Sequence, residues 1–156
     1  MERSSAGSVP LTLVRAAVEA RERADREEGE VDEIWCVFDV EWPANHPGLR
    51  EALDLAQRHD IRVAVSNPCF ELWLVLHFQD WRAWLDNDGA RRLRRSCDGQ
   101  EDKGVIGRSY MARRLAAVER AIVLDRMHAR NGTAFPHDNP SSGMHLLVTA
   151  VSLPSP

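Results

Sequence analysis

Four polar residues stand where the chain is otherwise most apolar: Asp39 and Glu41 close the run IWCVFDVE, and Asn67 and Glu71 lie within VAVSNPCFELWLVL. In an extended segment, carboxylates at i and i+2 point to one side, roughly 6.5 to 7 Å apart at ~3.3 Å per residue. Such a pair can share a hard cation, because Mg²⁺ and Mn²⁺ take oxygen ligands, usually one or two carboxylates completed by water and phosphate. A metal held there is suited to phosphodiester cleavage. Acids also end strands simply to solubilise the next loop, so spacing alone makes Asp39 and Glu41 candidates and no more. Glu71 sits near the start of a helical run with little other polarity, where the helix dipole stabilises an anion. It can bind metal, complement the dipole or pair with an arginine. Asn67 before Pro68 reads as a helix N-cap with proline at the first helical position.

A second set of residues could surround such a centre. His46, in the loop EWPANHPG, is within reach of a metal at Glu41, although no second histidine stands at ligand spacing. Lys103 in DKG can neutralise a phosphate or remain a solvated loop lysine. The RRLRR run, with Arg108, Arg113, Arg114, Arg120, Arg126 and Arg130, offers forks of donors suited to phosphate oxygens, or else forms solvated helix faces. His77, on an apolar run, reads as a core histidine. Trp35, Trp42, Trp73, Trp81 and Trp84 read as packing, since their segments lack the interleaved basic residues of a base-stacking platform. Cys36, Cys69 and Cys97 are odd in number, widely spaced and without a CxxC, which argues against a disulfide framework or a zinc site.

These residues need elements to position them. Pro10 to about Glu28 has the 3.6-residue periodicity of an amphipathic helix, through Leu11, Val14 and Val18. Ile34 to Val40 is a short β-branched and aromatic run, expected to be a strand buried on both faces. Leu49, Leu53 and Ala56 mark a helix to about His59, and Ile61 to Ser66 a second strand. A strand, helix, strand unit of this length is expected to be parallel, and parallel sheets place ligands beyond the carboxyl ends of their strands. Asp39, Glu41, Asn67 and Glu71 are thereby expected at one edge. A buried helix over Cys69 to Phe78, helices over Asp86 to Arg95 and Arg108 to about Arg130, and a last helix over Ser141 to Val151 complete the expectation.

At 156 residues and 44% hydrophobic, the chain suits one domain with a modest core. Residues 10–151 are expected to form it, with a disordered N-terminus over 1–9 and a tail over 152–156. No apolar run approaches the roughly 18 residues of a membrane span, and no signal sequence is evident, so a soluble cytoplasmic protein with no membrane partner is expected. The net charge of −4 is uneven: residues 1–60 hold twice as many acidic as basic side chains, whereas residues 82–130 are basic.

Taken together, IWCVFDVE, the helix after it, IRVAVSNPCFELWLVLHF, DKGVIGRSY and NPSSGMHLLV resemble the RloB-like proteins over roughly residues 10–151. The resemblance implies an α/β, parallel-sheet Toprim-like domain with flanking helices and a helical C-terminal half. It implies a role in abortive phage resistance beside an AAA-type ATPase partner, with Asp39 and Glu41 as the acidic motif that binds Mg²⁺ or Mn²⁺. On that reading Asp39, Glu41, Glu71 and Lys103 form the catalytic set of a nuclease, and Asn67, His46 and Arg108 assist binding. The chain departs from the pattern in having no EGxxTE-like first strand, whose glutamate would act as ligand or general acid/base. Either the start is placed too far downstream or the chain is a truncated copy lacking that strand, and loss of the glutamate is expected to reduce phosphoryl transfer severely. The alternative is a non-catalytic interaction or sensor module that binds an ATPase or nucleic acid, and a homo-oligomer is compatible with either.

Overall fold

The computed structural model describes residues 9–101 and 104–152. Lys103 therefore lies outside the described residues, as do most of the expected disordered N-terminus and tail.

Helix α1 (Pro10–Arg26) starts with proline in its first turn, where a missing N–H costs nothing, and buries Val14 and Ala17 one turn apart. It packs with α2 (Leu49–Arg58) on one face of strands β1 (Trp35–Asp39) and β2 (Arg62–Asn67). Cys36 and Phe38 alternate inward to meet them, together with Val40, Leu49, Ala52 and Ala56. The strands are parallel, in register from Trp35 opposite Arg62 to Asp39 opposite Ser66, as the strand, helix, strand pattern requires.

Two expectations about the sheet are corrected. Strand β1 is not buried on both faces: among the described residues it pairs only with β2, and Val37 on its second face is 41% exposed. Nor is the sheet wholly parallel. Ser141 and Ser142 form a short β3 that runs antiparallel to β2, opposite Asn67 and Ser66, where a helix start was expected. Gly143 explains the close approach, since a Cβ there would lie 3.1 Å from the Val65 amide nitrogen. The result is a small three-stranded mixed sheet within a largely helical α/β chain.

Helix α3 (Phe70–Leu76) is apolar apart from Glu71 because it is the centre of a second core. Leu72, Trp73 and Leu76 pack there against Ala117, Ala121 and Leu124 of α6 (Arg114–Asn131) and Ala90 of α4 (Asn87–Asp98). Helix α4 is capped by Asp86, whose Oδ1 accepts from the Gly89 N–H at 2.7 Å. The single helix expected from Arg108 onwards is two, α5 (Gly107–Met111) and α6, separated at Ala112 and Arg113. Met111 and Leu115 follow helical spacing but are exposed, so the periodicity there was not a core-facing stripe. Helix α7 (Met144–Ser152) closes the fold on β2 and α6. No helix among the described residues is long and apolar enough to cross a membrane.

Candidate acidic site at the carboxyl edge of the sheet

The carboxyl ends of β1 and β2 lie side by side, and backbone pairing continues past the strands: Val40 N–H donates to Ser66 O, and Glu41 N–H to Pro68 O at 2.8 Å. Glu41 itself turns into the left-handed region (φ 66°), which a side chain other than glycine seldom adopts. The extended i, i+2 geometry expected for Asp39 and Glu41 is therefore broken after Val40. The bend is held from both sides, since the Asn45 side chain donates to Glu41 O at 2.6 Å and His46 N–H to Val40 O. It also brings His46 Nε2 to 3.3 Å from a Glu41 carboxylate oxygen, so the expected neighbourhood of these two is real.

Asp39 has the most perturbed carboxyl in this region. Burial pushes it up first, the charges of Glu71 and Glu41 push it further, and the Phe70 N–H and Arg91 only partly oppose them, leaving it at about 7. Glu71 is thus brought close to Asp39, as expected, with Arg91 of α4 3.8 Å from its carboxylate. Cys69 lies against the same cluster, and burial, then Glu71, drives its thiol strongly upwards, so it stays protonated. Three carboxylates with one half-exposed guanidinium form a centre short of positive charge. The donors are hard oxygens of the kind Mg²⁺ and Mn²⁺ prefer. Asp39, Glu41 and Glu71 are the residues suited to such an ion, but among the described residues no group of three or more His, Cys, Asp or Glu side chains encloses a ready metal site. Water or substrate oxygens would have to complete the coordination.

Asn67 is at this edge in a role other than the expected one. Strand β2 runs through it, the N-cap of α3 is Cys69, and no side chain caps that helix. The Asn67 amide is instead a junction: its oxygen accepts from Trp42 Nε1 at 2.9 Å, and its nitrogen donates to Pro136 O and to Asp138 Oδ1. Trp42 also donates its backbone N–H to Asn87 Oδ1, tying the loop after Glu41 to the start of α4. Asn139 does the same for the Leu85 backbone, donating to its O and accepting from its N–H. From the sequence Trp42 reads only as packing and Asn139 is not singled out, although the second Asn-Pro in NPSS echoes the first. A hollow of about 240 Å³ opens beside the site, lined by Glu41, Trp42, Asp86, Asn87, Asp88 and Arg91 among others.

The remaining expectations divide. Arg108 is exposed on α5, and the structure does not bring it to the acidic cluster. Arg91, which sequence reasoning noted only as part of a basic run, is the arginine that reaches it. His77 is the expected core histidine, its Nδ1 2.8 Å from Trp73 O, and burial lowers its basicity. The three cysteines are unpaired.

A family model described as RloB-like protein matches residues 1–151 of the chain. No curated protein and no solved structure matches it.

Proposed function

Because the chain belongs to the RloB-like protein family, we propose that it is a phage-defence protein whose acidic edge binds Mg²⁺ or Mn²⁺ and cleaves phosphodiester bonds. The observation that carries this reading is the meeting of Asp39, Glu41 and Glu71 at the carboxyl ends of two parallel strands, where burial and the two neighbouring acids raise the Asp39 carboxyl to about 7. Perturbed carboxyls in such settings are characteristic of functional sites. Asp39 and Glu41 would hold the ion, with Glu71 beside them. When bound, the ion supplies Lewis-acid stabilisation of charge developing on phosphate oxygens. Arg91 faces both Glu71 and the adjoining hollow and would orient a phosphate there. Trp42 and Asn67 keep the Glu41 loop in one conformation, which positions the acids before any ligand arrives. A Toprim-like core and an AAA-type ATPase partner belong to the same reading, supported by the parallel β1 and β2 with acids at their carboxyl ends and by the family.

The lack of a ready three-ligand group among the described residues favours a second reading, a non-catalytic module that senses or scaffolds through the same edge. Calorimetric titration with Mg²⁺ and Mn²⁺, beside a cleavage assay on DNA and RNA, separates the two. Metal binding and cleavage that both disappear in Asp39→Asn, with the fold intact, support the nuclease. Cleavage unchanged in that variant refutes it. Absence of both metal binding and cleavage in the parent leaves the module.

A further inference from the structure

Among the described residues, four of the nine large apolar side chains exposed to solvent fall close together in the chain. Val105, Ile106, Met111 and Leu115 are between 47 and 69% exposed and fall within a single segment across α5 and the start of α6. Residues 104–118 also carry Arg108, Arg113 and Arg114 and no acid at all. Scattered exposed apolar residues require no explanation, but a cluster edged with charge marks an interaction site.

The surface is firmly based. Beneath it Arg94 donates to Gly104 O and, at 2.6 Å, to Asp98, which also accepts the Tyr110 hydroxyl at 2.5 Å. Arg113 lies over the Phe78 ring at 4.8 Å and donates to Ser109 O, and Arg114 donates to Met111 O, so both guanidinium groups are kept beside the apolar side chains. A partner would meet a preformed face and would not have to order it.

We propose that the face from Val105 to Leu115 docks an acidic amphipathic segment of a partner protein. The partner's apolar side chains would cover Met111 and Leu115, and its carboxylates would meet Arg108, Arg113 and Arg114. Charge complementarity selects an acidic occupant, and the exposed aliphatic side chains select a protein over a nucleic acid. Single strands need aromatic rings to stack on, and here Tyr110 is buried and Phe78 lies under Arg113. This site is separate from the acidic edge, and its test runs in EDTA, so it stands or falls independently of metal binding.

The folded chain is titrated into a fluorescein-labelled helix of Glu and Leu at amphipathic spacing, and into its Lys and Leu counterpart. The Glu/Leu helix is expected to bind and the Lys/Leu helix not to. Leu115→Ser and Arg108→Ala, both at exposed positions, should each weaken binding about tenfold, equivalent to ~1.4 kcal/mol. Leu146→Ser, at an exposed apolar residue of α7, should leave it unchanged. No binding, equal binding of the two helices, or an equal loss in Leu146→Ser overturns the proposal. So does a single-stranded oligonucleotide or an anionic vesicle that displaces the Glu/Leu helix at lower concentration. Self-association in sedimentation that Leu115→Ser abolishes would overturn it too, by making the occupant a second copy, whose own acidic segment 27–33 carries the exposed Val31.

Discussion

Asp39 and Asp98 are both aspartates drawn out of water at the end of a regular element, and the protein treats them in opposite ways. Asp98 ends α4 with its side chain only 6% exposed, beside an equally buried Arg94. Burial alone would raise its carboxyl, but the Tyr110 hydroxyl, the Gln100 N–H and Arg94 together hold it below the usual range. Asp39 ends β1 with acids for neighbours, and its carboxyl rises to about 7. One aspartate is satisfied and belongs to the scaffold. The other has acids for neighbours and too few donors to offset them, so it keeps its proton to a higher pH.

The most severe way to break this contrast is to take the partner from Asp98. Arg94→Ala leaves a buried carboxylate uncompensated and should cost about 4 kcal/mol, read by urea denaturation at pH 7. A loss below about 1 kcal/mol would mean that Asp98 is not held as described.

The next largest effect is opposite pH dependence. An unfolded aspartate titrates near 3.9, about three units below folded Asp39. Between those values the folded state keeps a proton that the unfolded state has lost, so stability falls as pH rises from about 4 to about 7 and is flat above, by on the order of 4 kcal/mol. Asp98 contributes in the other sense: its stabilisation is present above the unfolded value and is lost as pH falls through the folded one. Asp39→Asn should remove the fall between pH 4 and 7 and leave the acid limb. Mg²⁺ added at pH 8 should restore stability to the parent and not to Asp39→Asn. Denaturation midpoints across pH, with and without metal, measure all four.

Asn67→Ala sharpens the comparison from the scaffold side of the acidic edge. It deprives Trp42 Nε1 of its acceptor and Asp138 of a donor, for about 2 kcal/mol, and should loosen the loop that carries Glu41. Hydrogen exchange at residues 41–48 faster than in the parent would report that loosening, and unchanged exchange would count against the junction. The smallest effect is Gly143→Ala, about 1 kcal/mol by thermal melting, because the added Cβ must push against the β2 backbone.

Much of this was legible in the chain. The residues that start α1, the apolar β1 and the β1, α2, β2 order follow from periodicity and turn chemistry, and the placement of Asp39, Glu41 and Glu71 at one edge follows from parallel topology. Family membership was legible in the quoted motifs. The role of Asn67 was not, since Asn-Pro before an apolar run describes a helix cap and a strand end equally well. Strand β3 was hidden because two serines carry no pattern, and α5 and α6 merged because helical spacing does not say which face meets a core.

The sequence by itself determined most of the helices, the two longer strands, the family and the acids that end or follow those strands, because these depend on local periodicity and on residue type. Only the tertiary structure decided which charges are compensated. Arg91 and Arg94 stand three positions apart on one helix. One faces outward towards Glu71 and the other is buried with Asp98, and that difference arises from packing against elements distant in the chain.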